Sequence, residues 1–164
     1  MNVVYMRFLG GILIMEMLKS PLAVRISTRK KHILNLNTFR NTHYRVLNNA
    51  KISYKETMKS KILNLKDYKK LLIIYKVFKG DRRRFDIGNI LSIHQKFFED
   101  ALVELGKLPD DKASNIPMVV YLNGGIDVEN PRVEIYLFDM EEPKEIQLAK
   151  AMIVQEVIDI YGEG

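Results

Sequence analysis

Residues 71–111 read LLIIYKVFKGDRRRFDIGNILSIHQKFFEDALVELGKLPDD, and this stretch decides the fold. Leu71–Phe78 is an unbroken β-prone run and reads as a central strand. Gly80 and Asp81 end it. A triplet of arginines follows, and Asp86 then stands where a helix starts. From Ile87 the residues Ile90, Ile93, Phe97, Ala101 and Leu105 recur at steps of three or four, one apolar face of a helix. Gly106 stops that helix, because glycine readily adopts the left-handed conformation of a helix end. Leu108-Pro109-Asp110-Asp111 is a turn.

Working outward, Leu47, Ala50, Tyr54, Met58, Ile62 and Leu65 predict a second helix over 45–65. Leu22–Ser27 alternates like a half-buried strand, and 30–44 is polar and reads as a loop. Met118–Leu122 and Val133–Phe138 read as two strands joined by a hairpin turn at Gly124-Gly125. Pro143 opens a final helix with Ile146, Ala149, Met152, Ile153 and Val157 on one face. The expected order is β-α-β-α-β-β-α. It gives a small α+β domain with a mixed sheet of about four strands on two to three helices. Its divisions are an N-terminal extension over 1–20, a core domain over 21–140 and a C-terminal helix over 141–164.

Composition narrows the function. The 164 residues hold no cysteine, so disulfides and thiolate metal sites are excluded, which fits a reducing cytoplasm. Residues 19–84 carry 19 Lys/Arg against 3 Asp/Glu, whereas residues 85–164 carry 6 against 16. One half attracts polyanions and the other suits divalent cations; the plainer alternative is two charged faces that neutralise each other on folding. The apolar run Phe8–Met15 is too short to span a bilayer, and no secretory signal is expected. Leu9-Gly10-Gly11 fits a translated ribosome-binding site with the start at Met15 or Met17, the alternative being a true leading strand.

Chemistry-bearing residues cluster in the opening stretch. Arginines grip phosphates bidentately, which singles out Arg82, Arg83 and Arg84. Asp86 lies at a helix N-terminus, either as a ligand or as a cap. Asn89, Lys96 and Asp100 share one helix face. Asp110 and Asp111 follow in the turn. Lys51, Lys55 and Lys59 lie four apart on the first long helix, as a solvated stripe or as a row of cations for phosphates. His32, His43 and His94 show no metal spacing and read as plain polar positions in loops or on the surface.

DRRRFDIGN at 81–89, KFFEDALVELG at 96–106 and LPDD at 108–111, in this order, resemble the RusA-like family of Holliday junction resolvases. The segment LNLNTFRNTHYRVLNNAKISYK at 34–55 is similar to that family's Asn-rich loop and first helix. The segment GGIDVENPRVEIYLF at 124–138 is similar to its closing hairpin. The likeness runs from about Leu22 to Phe138 and looks closest to versions carried by phages and prophages of Gram-positive bacteria. It implies a homodimeric endonuclease in the cytoplasm of a bacterial host or phage-infected cell, which resolves four-way DNA junctions with Mg²⁺, or Mn²⁺ as a substitute. It implies catalytic Asp86, Asp111 and Lys96, with metal ligands among Asp86, Asp100, Asp110 and Asp111. DNA contacts would come from Arg82, Arg83, Arg84, Lys51, Lys55, Lys59, Arg40 and Asn89. One departure stands out. The family reads Asp-x-Asp-Asn, and this chain has Gly88 where the second aspartate belongs. Either Asp100 or Asp110 completes the metal shell, or the chain binds junctions without cutting them. A third expectation, from another class, is a protein-interaction module that uses the acidic last helix.

Overall fold

A computed structural model describes residues 3–8 and 11–162, with side chains from residue 15 onward. Strands β1 (Val3–Phe8) and β2 (Gly11–Pro21) lead the chain. A small hairpin of β3 (Ala23–Arg25) and β4 (Lys31–Ile33) follows, then the short helix α1 (Leu36–Arg40) and the long helix α2 (Tyr44–Leu63). After β5 (Leu71–Lys79) and α3 (Ile87–Glu104) come β6 (Met118–Ile126), β7 (Arg132–Asp139) and α4 (Pro143–Gly162). The main sheet runs β1-β2-β7-β5-β6, with β5 and β6 parallel and the other pairs antiparallel. The fold is α+β with a mixed sheet, as the sequence implies.

β5 lies between β7 and β6, and its first five residues are all buried. Successive strand residues point to opposite faces. Leu71, Ile73, Tyr75 and Val77 join the core under α2 and α3, together with Tyr54, Met58, Ile62, Phe98 and Leu102. Leu72 and Ile74 join Met15, Phe138, Leu148, Ala149 and Met152 on the other face, beneath α4. The molecule therefore has three layers, helices on both sides of one sheet. Each large apolar side chain sealed in these layers contributes roughly 1.5–3 kcal/mol of transfer free energy.

Three expectations change. β6 and β7 do not form a hairpin, because β5 lies between them, parallel to β6 and antiparallel to β7. Gly124 and Gly125 lie inside β6, at a register shift between Val77 and Phe78. A Cβ on Gly124 would come within 2.7 Å of the Phe78 ring, so glycine answers a close approach there, not a turn. The polar segment 30–44 holds β4 and α1, whose N-cap Asn35 accepts a hydrogen bond from the Thr38 amide at 2.7 Å. Finally, β2 pairs with β7 over Glu16–Pro21 and buries Met15 and Leu18, so most of the segment read as an extension belongs to the sheet. Leu9 and Gly10 lie outside the described residues. Among the described residues, no helix is long and apolar enough to cross a membrane.

Candidate nucleic-acid interface and acidic pocket

Asp86 ends the loop after β5 and forms the N-cap of α3, where its Oδ1 accepts a hydrogen bond from the Gly88 amide at 2.8 Å. This is the capping role open to an aspartate at a helix start. Asp100 lies fourteen residues further along the same helix, roughly 21 Å at 1.5 Å per residue. Asp86 and Asp100 therefore cannot share one ion within a chain, which corrects the expected Asp86–Asp100–Asp111 cluster. Gly88 sits directly over the cap, and a Cβ there would stand 3.3 Å from Asp86 Oδ1.

The other acids do meet. Glu99, Asp100 and Asp111 line one open pocket of about 360 Å³ with Ser92, Gln95 and Lys96. Asp111 reaches it because Gly106, at φ +73°, ends α3 and turns the chain back. Asp100 is held by Lys51 at 2.9 Å and by Lys96 at 4.0 Å. Asp110 is engaged by Lys112 at 2.5 Å and does not line the pocket. Glu99 is nearly buried, at 7% exposure, with Tyr75 Oη donating to it at 3.5 Å. Burial, with Asp111 and Asp100 nearby, pushes its carboxyl up to about 7. Gln95, on the same wall, accepts a hydrogen bond from Tyr121 of β6. Glu99 is not among the residues that the sequence pattern singles out. Its signal was Phe98 and Leu102 beside it, which extend the buried face of α3 around the helix.

The donor set of this pocket is all oxygen, the type a hard cation prefers. Its number is small: among the described residues no three carboxylate or imidazole groups converge as a preformed cage. Mg²⁺ is commonly held by one or two carboxylates together with waters and substrate phosphates, so the pocket fits that mode and not an all-protein cage.

The arginine loop opens beside β6. Arg82, Arg83 and Arg84 are exposed, and they line a second depression with Asn123, Gly125 and Ile126 of β6. Tyr121, beside the acidic pocket, is four strand residues from Gly125, about 13 Å at 3.3 Å per residue. Acids and arginines thus share the β6 side of the molecule. Lys79 props the loop: its Nζ donates to the Arg83 carbonyl at 2.6 Å, pairs with Asp81 at 2.8 Å and lies 4.7 Å from the Phe85 ring centre.

The lysine stripe has mainly a structural role. Lys51 pairs with Asp100 and with Glu104 at 3.1 Å, and Lys55 pairs with Glu104 at 2.7 Å, tying α2 to α3. The Asp100 and Glu104 hydrogen bonds raise the Lys51 pKa despite partial burial. Lys59 is exposed with Glu56 at 3.7 Å, and Arg40 is exposed in the last turn of α1. Asn89 lies apart from the acidic pocket, on the groove that holds Asp86.

Two histidines are not surface residues. His94 is fully buried, with Nδ1 3.1 Å from Ser20 Oγ, which in turn donates to Tyr54 Oη at 3.1 Å. Burial drives the His94 imidazole down to about 3, so it stays neutral in the folded protein. His32 is also buried, at 6% exposure, whereas His43 caps α2. No protein-family model matches the chain, and no curated protein matches it.

Proposed function

We propose that this chain binds branched DNA and cleaves it as a magnesium-dependent endodeoxyribonuclease, in the manner of the RusA-like junction resolvases it resembles. The observation that carries the reading is the acidic pocket of Glu99, Asp100 and Asp111, with Lys96 at its rim and the arginine loop on the same β6 side. In this reading Asp100 and Asp111 hold the ion, Mg²⁺ or Mn²⁺. When bound, the ion supplies Lewis acidity at the scissile phosphate. Arg82, Arg83 and Arg84 grip the backbone on either side of that phosphate. Lys96 balances its charge. Glu99, which lines the same pocket as Asp100 and Asp111, would accept the proton of the attacking water as the bond from phosphorus to the leaving oxygen breaks. A homodimer would present two such pockets, one for each strand to be cut.

Asp86 has a different part in this proposal. It caps α3 and so aims the arginine loop, instead of holding the metal. Its distance from Asp100, and the absence of a three-acid cage among the described residues, favour one second reading, a junction-binding protein without nuclease activity. The interaction-module reading has less support, because Glu145 and Glu156 of α4 are engaged by Lys66 and Lys76 within the chain.

The deciding measurement uses purified protein and a synthetic four-way junction, with Mg²⁺ or with EDTA. Metal-dependent paired nicks are expected, and Asp111→Asn should lower the cleavage rate at least about a hundredfold while junction affinity in a gel shift stays within twofold. A retarded junction that is never nicked, with either metal, would leave the binding-only reading. Full activity in Asp111→Asn would remove the acidic pocket from the chemistry.

A further inference from the structure

We infer that the groove between the β3–β4 hairpin and the arginine loop is a pocket for one unstacked nucleotide of a DNA strand, an inference that rests on the DNA-binding reading. The groove encloses about 670 Å³, within the roughly 300–1,000 Å³ typical of small-ligand sites. Its floor is apolar: Leu22 and Leu34 come from the hairpin side, Phe85 and Ile90 from the start of α3. Such a floor suits the flat face of a base.

Its rim is polar in a specific way. Asn35, Asn37 and Asn89 converge on it from three segments. Asn35 commits its oxygen to the α1 cap, which leaves its amide N–H₂ group facing no described partner, and the Asn37 and Asn89 side chains have no described hydrogen bond. Amide side chains pair well with the edges of bases. Arg84 lines the same groove, is exposed and forms no ion pair among the described residues. Arg25, Arg29, Lys30 and Lys31 on the adjoining hairpin are likewise exposed and form no ion pair among the described residues; of the two acids that line the groove, Asp81 is neutralised by Lys79 and Asp86 is engaged as the cap of α3. An apolar floor, base-pairing amides and the unpaired Arg84 guanidinium together match a nucleotide; a lipid or an apolar peptide would leave the amides and the guanidinium unused.

A base stacked inside a duplex cannot enter, so the occupant is a nucleotide freed from its stack, as at a strand exchange point or in single-stranded DNA. The groove would then give the protein a preference for branched over continuous duplex DNA, which the arginines alone cannot supply, since they read only the backbone.

The test plugs the groove without touching the arginines or the acidic pocket. Asn37→Trp lies on the exposed side of α1, and Ala23→Phe on β3 is a second variant in case the first disturbs folding. Binding of fluorescent oligo-dT, of a duplex of equal length and of free dTMP is measured by anisotropy and calorimetry. Both plugged variants should lose at least tenfold in affinity for oligo-dT and less than twofold for duplex, and free dTMP should bind no tighter than millimolar. Equal losses on both DNAs, or none on either, would overturn the nucleotide pocket while leaving DNA binding intact. Micromolar binding of free dTMP would reassign the groove to a soluble nucleotide. A parent protein that binds none of the DNAs would defeat the underlying DNA-binding reading and the pocket with it.

Discussion

Glu99 and Asp100 are neighbours on α3, yet their carboxyls have opposite surroundings. Asp100 is held by two lysines, whereas Glu99 faces a tyrosine hydroxyl, a glutamine and two other acids. Its folded pKa, raised to about 7, lies above the usual value of 4.5. The folded state therefore holds this proton more tightly than the unfolded chain does. That stabilising contribution is complete below about pH 4.5 and is lost as the pH rises through 7. Glu99→Gln removes the titration, so in EDTA the variant should gain about 1–3 kcal/mol over the parent at pH 8 and converge with it near pH 4.5. The lower end of that range allows for water reaching the carboxylate from the open side of the pocket. Urea unfolding at the two pH values measures this, and parallel pH curves for parent and variant would contradict a raised pKa. His94 titrates in the opposite sense: its lowered pKa favours the fold above about 6.5, and that advantage fades as the pH falls towards 3. Neither residue's burial was legible in the sequence. A lone Glu before Asp, or a lone His on a helix, reads as solvated, and only the packing of α3 against both α2 and the sheet buries more than one face of it. Asp100 and Asp111 could be picked out because they flank the glycine that ends α3 in an order resembling a known family. Asp86 carries the same residue type at the other end of the helix, where it forms the N-cap.

The element scale separates two kinds of positive charge that look alike in sequence. Lys51 and Lys55 face α3 and are neutralised by Asp100 and Glu104, whereas the arginines of the 81–86 loop face solvent. The four-residue spacing of the lysines identifies a helix face, but it does not say what that face meets. If the loop is the DNA contact, Arg82→Ala, Arg83→Ala and Arg84→Ala should each reduce the slope of log K against log salt by about 0.9 on duplex DNA. Lys55→Ala should leave the slope unchanged and lower stability by no more than about 1 kcal/mol, the range of an exposed ion pair. Anisotropy titrations at four salt concentrations give the slopes. A slope that fell for Lys55→Ala and not for the arginines would move the interface onto α2. The β6–β7 segment shows the same limit of local reading. Gly-Gly and Asn-Pro between two apolar runs mark a turn, and a turn does form at 127–131. The strand it leads to, however, pairs on the far side of β5, a choice made by long-range packing that no dipeptide encodes.

For the whole molecule, part of the charge asymmetry between the two halves of the chain is taken up in holding the layers together. Lys66 pairs with Asp139 and Glu145, Lys69 with Glu141, Lys76 with Glu156 and Lys107 with Asp67, in addition to the α2–α3 pairs. Exposed cations without an ion pair among the described residues include Arg25, Arg29, Lys30 and Lys31 of the β3–β4 hairpin, Arg40 of α1 and the three loop arginines, but also Lys70, Lys144 and Lys150 elsewhere. The composition did forecast two faces that partly cancel, although it could not locate the remainder. The last helix was legible as a helix, and its place in the architecture was not. An unbroken apolar run such as 71–75 requires cover on both faces of the sheet, and α2 with α3 can supply only one. α4 supplies the other by sealing Leu148, Ala149 and Met152 over Leu72, Ile74 and Phe138. A chain ending at Glu142 would leave that face open to water, with the transfer free energy of at least four large apolar side chains lost, roughly 6–12 kcal/mol. This is comparable with the whole net stability of an ordinary domain, about 5–15 kcal/mol. The truncated protein should therefore bind a hydrophobic dye and show no cooperative thermal transition. Leu148→Ala, which removes one of those side chains, should cost about 2–5 kcal/mol and keep the transition cooperative. Val157→Ala, on the exposed part of the same helix, should shift stability by less than about 0.5 kcal/mol. A truncated chain that melted cooperatively near the parent's midpoint would mean that the sheet is stable with one face bare, and that α4 is an appendage on a two-layer domain.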